Sequence, residues 1–233
     1  MIFRFKQFAV SHANSSMKVG TDAVILGSWA EVKNSQTILD IGTGSGIIAL
    51  MMAQKNSEAQ INAIDIDENS IIEALQNFEP STWNERLKAE CIALQNFGLS
   101  YENHFDHIIS NPPFFIKSTP APEKARHNAR HTDTLSADDF FKYSKLLLTE
   151  TGKISLIIPS QSSADWITTA EKYTLFPSRI TNVISYPDKP IERILIEFSN
   201  KKSSFEAKEF YIRKGKGLGY SDEHIQLTQD FYL

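Results

Sequence analysis

The stretch Thr37-Ile38-Leu39-Asp40-Ile41-Gly42-Thr43-Gly44-Ser45-Gly46 constrains the fold more than any other. An apolar strand runs into glycines at alternate positions, and the helical run Ile47 to Gln54 follows at once. Strand, glycine turn and helix in that order open a strand–helix–strand unit with parallel strands. Glycine at 42 and 44 allows backbone conformations and close approaches that a side chain would block. The dinucleotide fingerprint is Gly-x-Gly-x-x-Gly. Here the third glycine, Gly46, comes one residue early and Ile47 follows it. That spacing disfavours a nicotinamide or flavin cofactor.

A second strand, Gln60 to Ile66, carries Asp65 at its tip. An acid about 20 residues past such a loop, at the end of the adjacent strand, accepts both ribose hydroxyls of an adenosine. Asp67 competes for that role, but the apolar run ends directly before Asp65, which is preferred. Asn69 to Phe78 reads as a helix with Ile71, Ile72, Leu75 and Phe78 facing inward, ended by Pro80. Leu87 to Leu94 is a third strand with its following loop. Cys91, the single cysteine, lies in this apolar run and reads as core, and a lone cysteine excludes an internal disulfide.

Phe105 to Ser110 is a short buried strand leading into Asn111-Pro112-Pro113-Phe114. The first proline blocks helix at Asn111 and removes a ladder donor, so the strand stops there. The result is a stiff corner presenting a carboxamide, a bare carbonyl and an aromatic ring. Those parts suit a planar, conjugated amine used as a nucleophile. The Asn111 oxygen and the Pro112 carbonyl each accept one N–H, and Phe114 stacks on the planar substrate. A rigid turn with no chemical role is the competing reading.

The loop 115–131 carries Lys117, Lys124, Arg126 and Arg130 against Glu123, net +3. A long, Pro-punctuated basic loop beside such a corner reads as a substrate clamp for phosphates. Net charge over all 233 residues is −4, so any nucleic-acid site is local rather than a property of the whole surface. Segment 201–216 is a second basic stretch, net +4, expected to lie on the same side as Asn111. Its Phe205, Phe210, Tyr211 and Ile212 suit an added strand. Upstream, Thr21 or Asp22 is placed to cap a short helix reaching Ala30. Ser136 caps a helix to Leu148, and strands follow at Gly152 to Pro159, Arg179 to Tyr186 and Glu192 to Ser199. No signal-peptide pattern or membrane-length run is present, which predicts a soluble, cytoplasmic protein. The expected organisation is one domain: an N-terminal arm and helix (1–36), a core (37–200) and an extension packed on it (201–233).

The glycine loop resembles the Asp-x-Gly-x-Gly-x-Gly motif of class I methyltransferases, and the corner resembles the (Asn/Asp)-Pro-Pro-(Tyr/Phe) signature of amino-methyltransferases. Lys18-Val19-Gly20-Thr21-Asp22, Ala129 to Leu135 and the Tyr220-Ser221 to Leu233 terminus extend the likeness. The whole chain resembles the bacterial tRNA1(Val) adenine-N6 methyltransferases. The resemblance implies an α/β Rossmann-like fold with a mostly parallel seven-stranded sheet and helices on both faces. It implies S-adenosylmethionine as cofactor, held by Lys18, Thr21, Asp40, Gly42, Gly44, Gly46, Asp65 and Asn111. Asn111, Pro112 and Phe114 are the implied catalytic set. Pro113, Lys117, Lys124, Arg126 and Arg130 are the implied substrate contacts, with tRNA as partner. No metal is called for, and a monomer is expected. Where many relatives carry an adenine-contacting acid this chain has Ala93. Glutamine-N5 protein methyltransferases and ribosomal-RNA amino-methyltransferases share the corner, and a non-catalytic RNA-binding protein is the reading of another class.

Overall fold

The computed structural model describes residues 2–12, 20–112 and 135–232. A two-stranded antiparallel ribbon, β1 (Ile2–Arg4) and β2 (Ala9–Ser11), precedes helix α1 (Thr21–Trp29). The strand–turn–helix that opens the sheet is β3 (Thr37–Ile41) and α2 (Ile47–Lys55). Then come β4 (Gln60–Asp65), α3 (Glu68–Phe78), β5 (Leu87–Cys91), the short α4 (Leu94–Phe97) and β6 (Phe105–Ser110). The second half holds α5 (Ala137–Leu147), β7 (Leu148–Pro159), α6 (Ser163–Lys172), β8 (Phe176–Ile184), β9 (Arg193–Ser199), β10 (Lys208–Tyr211) and α7 (Asp222–Thr228).

Strands β3 to β10 form one sheet in the order β10-β8-β9-β7-β6-β3-β4-β5. Only β9 runs against its neighbours β7 and β8, and every other pairing in the sheet is parallel. To the seven expected strands Lys208–Tyr211 adds the further strand expected within 201–216, a parallel edge strand beside β8 that makes eight among the described residues. From β3 the chain winds outward to β4 and β5, then returns to β6 on the other side. The strand order therefore reverses between β3 and β6, and a crevice opens at the carboxyl ends of strands there.

Side-chain alternation divides the core into two layers. Ile38, Ile61, Ile109 and Ile157 face α1, α2 and part of α3. Leu39, Ile64, Ile108, Leu156 and Ile158 face Phe140, Phe141 and Trp166 of α5 and α6. Ser136 caps α5 as its position foretells, its hydroxyl accepting the Asp139 N–H at 3.0 Å. At the far ends of the chain, the Lys6 N–H donates to the Phe231 carbonyl at 2.9 Å, and the Phe231 ring is buried.

Four local features differ from expectation. Helix α1 is capped by extended Gly20, not by the side chain of Thr21 or Asp22. Asp22 is instead drawn to Arg193, whose Nε lies 2.8 Å from its carboxylate. On α3, Ile71 and Phe78 are buried, but Ile72 and Leu75 are each 46% exposed. The inward face holds Asn77 instead, whose amide is claimed by the backbone of Ser11 and Ser45. Cys91 is exposed, because β5 is an edge strand and local apolarity does not set burial at an edge. Segment 201–216 does not lie on one side. Lys202 sits over Phe176 at the start of β8, with its ammonium 4.8 Å from the ring centroid, whereas Arg213 follows the end of β10 at the opposite edge.

Candidate functional site

The site is built where four strands end at one level. Ile41 of β3 pairs with Ser110 of β6 and with Ile64 of β4, and Asp65 of β4 pairs with Cys91 of β5. Asn111, Gly42 and Asp65 therefore leave or end adjacent strands side by side. Neighbouring strands are about 4.8 Å apart, so this row spans roughly 10 Å. The Ser110 hydroxyl donates to the Ile41 carbonyl at 2.7 Å and fastens the last rung beneath the corner. Asn111 is half-buried and Pro112 buried.

The glycine loop turns sharply above this row. The N–H groups of Gly42 and Thr43 both donate to the Ile64 carbonyl, at 2.8 and 3.1 Å. Gly42 and Gly44 have φ of +70° and +53°, and a Cβ built on either meets nothing within 4 Å among the described residues. Their backbone faces open ground that a ligand can approach closely. Gly46 serves a different purpose. A Cβ there would lie 2.5 Å from the Phe78 ring, so this glycine lets α2 start against α3.

Asp65 is fixed by the loop it faces. One carboxylate oxygen accepts the Gly44 N–H at 2.9 Å and the other accepts the Asp67 N–H at 3.0 Å. Each oxygen keeps a free lone pair, so the carboxylate is oriented without being used up. Asp67 is occupied elsewhere: it caps α3 through the Asn69 N–H at 3.2 Å and the Ser70 hydroxyl at 2.7 Å. Asp40 lies beneath the loop and is fully buried. Burial pushes its carboxyl up to about 7, against the Thr43 hydroxyl, which donates to it at 2.6 Å, and the backbone N–H of Ala49. Its second oxygen has no partner in hydrogen-bond geometry among the described residues. Thr21 is exposed at the start of α1, whose N-terminus the Asp22–Arg193 pair holds against the first residue of β9, at the same sheet edge. Ala93 opens α4 just past β5 and offers only backbone groups there.

Lys18, Pro113, Phe114, Lys117, Lys124, Arg126 and Arg130 lie outside the described residues. The structure thus brings Asp40, Gly42, Gly44, Asp65, Asn111 and Pro112 together, and turns Gly46 inward. Sequence reading missed Thr43 and Ser110, small hydroxyls that hold the acid and the corner. Their positions directly beside the glycines and Asn111 were the only available signal.

A family model described as methyltransferase small domain matches residues 11–170. A tRNA1(Val) (adenine(37)-N6)-methyltransferase from Trichodesmium erythraeum is 42% identical over 233 residues, covering 99% of this chain and 97% of that one. A protein of the same name from Flavobacterium johnsoniae is 41% identical over 234 residues, covering 100% and 99%. Among solved structures, a predicted O-methyltransferase from Agrobacterium tumefaciens aligns with a TM-score of 0.68 at 18% identity, covering 90% of this chain and 96% of that one. A TehB-like SAM-dependent methyltransferase from Corynebacterium glutamicum aligns with a TM-score of 0.51 at 18% identity, covering 80% and 90%. At such identities the structural likenesses speak for the fold alone. Full-length similarity to the curated relatives goes further: this chain belongs to the tRNA1(Val) (adenine(37)-N6)-methyltransferase family.

Proposed function

We propose that this chain transfers a methyl group from S-adenosylmethionine to the exocyclic N6 amine of adenine in tRNA, the adenine 3′ of the anticodon in tRNA1(Val). The observation that carries the reading is the row Asn111–Gly42–Asp65 at the carboxyl edge of adjacent parallel strands. It sets an amine-accepting corner beside a glycine loop and a ribose-accepting acid. The names of relatives sharing about two fifths of its residues over the full length supply the substrate.

The geometry described above supports a placement for the cofactor. Asp65 would take the ribose hydroxyls, and the backbone of Gly42 and Gly44 would lie along the methionine end. Thr21, at a helix N-terminus with no side-chain cap, would meet the carboxylate, where the helix dipole favours negative charge. We assign Lys18 to the same carboxylate. When bound, S-adenosylmethionine supplies a methyl group already activated by its sulfonium. No metal or covalent intermediate is then required of the protein.

The protein's part is placement and electrostatics. The Asn111 side-chain oxygen and the Pro112 carbonyl accept the two N6 protons. They hold the nitrogen lone pair toward the methyl group and stabilise the positive charge that grows on nitrogen. The amine becomes more acidic as the new bond forms, so one proton leaves late, to solvent. Phe114 stacks on the extruded adenine, with Pro113 bordering it. Lys117, Lys124, Arg126 and Arg130 contact tRNA phosphates. The setting is the cytoplasm, where tRNA is met, and no described helix is long and apolar enough to cross a membrane. The test is transfer of labelled methyl into tRNA lacking the modification, followed by digestion to nucleosides. Label in N6-methyladenosine is expected. Label in another nucleoside, or none in tRNA, overturns the assignment.

A further inference from the structure

Three residues whose sequence context calls for burial are exposed, and all three lie at one place. Ile72 and Leu75 on the outer side of α3, and Cys91 on β5, border the same open end of the sheet. Helix α3 packs over β5, its Phe78 sharing a core layer with Leu87 and Ala89. A recess of about 390 Å³ runs along this edge, lined by Leu75, Leu87 and Ala89 on one face and by Phe97 and Tyr101 on the other.

Among the described residues no strand pairs with the outer side of β5. The Ile92 N–H donates inward to the Asp65 carbonyl at 2.9 Å. By alternation, the backbone groups of Glu90 and Lys88 also point to β4, while those of Ala89 and Cys91 and the Leu87 carbonyl point outward with no partner strand among the described residues. Such an edge is a template for another strand. Its charge pattern is self-complementary. Lys88 and Glu90 are both exposed and stand symmetrically about Ala89. When two such strands run antiparallel with Ala89 opposite Ala89, Lys88 of each copy stands opposite Glu90 of the other, in the close non-hydrogen-bonded positions. The outward groups of Ala89 then pair with those of its copy, and the Cys91 N–H of each copy meets the Leu87 carbonyl of the other, the Leu87 N–H being already given to the Asn84 carbonyl. The same two-fold brings Ile72 and Leu75 of the two α3 helices toward one another.

We propose that a second copy of this chain docks on the open edge of β5, antiparallel about a two-fold axis through Ala89. The result is a closed dimer with two eight-stranded sheets joined edge to edge, in place of the monomer the sequence suggested. Because the joined strands run in opposite directions, the two Asn111 corners face opposite ways and each serves its own substrate. The dimer completes no site, so it adds stability and shape rather than chemistry.

Sedimentation equilibrium on the full chain tests this, with thermal melts to confirm that each variant is folded. The wild type is expected to show a monomer–dimer equilibrium in the micromolar range. Glu90→Lys sets lysine against lysine at two symmetric positions and should weaken association on the order of 10-fold or more. The double swap Lys88→Glu with Glu90→Lys restores opposite charges and should restore the dimer. Methyl transfer per chain should be unchanged in both variants. A wild type that stays monomeric at several hundred micromolar overturns the proposal. So does association that Glu90→Lys leaves intact, or that the double swap fails to rescue. Loss of methyl transfer in the wild type would instead count against the functional reading.

Discussion

Replacing Asp65 tests the cofactor half of the site. Its two carboxylate oxygens accept backbone N–H groups from Gly44 and Asp67, at 2.9 and 3.0 Å. Alanine leaves both donors without that acceptor and removes the proposed ribose contact. Hydrogen bonds to a charged acceptor are worth about 1.5–3 kcal/mol, and the partial exposure of Asp65 puts the loss of cofactor binding at about 1–3 kcal/mol, or roughly 5- to 150-fold in Kd. Asparagine is no milder in principle, since its NH₂ must face one of the two backbone donors. Asp67→Ala is the control. It removes a helix cap, should cost about 1 kcal/mol of stability, and should leave cofactor affinity as it was. Calorimetric titration with S-adenosylmethionine and a thermal melt separate the two effects. Unchanged affinity in Asp65→Ala, or a larger loss in Asp67→Ala, refutes the assignment.

Gly46→Ala should destabilise the fold by about 2–4 kcal/mol, read as a lowered Tm. It combines a φ of +79° with a Cβ placed 2.5 Å from the Phe78 ring. Asp40 gives a pH dependence. Its folded-state carboxyl is raised to about 7 from an ordinary 3.8, so its neutral form stabilises the fold fully below pH about 4, and that contribution is lost as pH rises through about 7. Asp40→Asn should flatten this part of the stability profile and be the more stable protein at pH 8, by at most about 4 kcal/mol; a profile parallel to wild type contradicts a buried carboxyl whose partners offset only part of its desolvation. Charge reversal at Lys124, Arg126 and Arg130 should weaken tRNA binding, make it less sensitive to salt and leave cofactor affinity intact, measured by filter binding across a salt series.

What could be read from the sequence was what neighbours in the chain determine. Thr37 to Gly46 declares strand, turn and helix within ten residues, and Pro112 stops β6 where the structure stops it. Ser136 declares its own cap. The misreadings have partners far along the chain. Asp22 is diverted from capping by Arg193, 171 residues away. Asn77 displaces apolar residues from the inner face of α3 because β2 lies there, offering Ser11. Cys91 and Leu75 are apolar in pattern yet exposed, because no local feature says that β5 is the last strand. The eighth strand depends on whether an apolar run after β9 finds the open side of β8, which only the assembled sheet decides.

The corner at Asn111 carries the proposed chemistry. The direct measurement is single-turnover methyl transfer to unmodified tRNA1(Val) by wild type and by Asn111→Ala, with cofactor affinity measured alongside. Removing one acceptor aimed at charge that develops in the transition state costs about 3–4 kcal/mol, so the rate should fall on the order of 10²–10³-fold while the cofactor still binds. A variant that turns over near the wild-type rate would make the corner structural and the mechanism wrong.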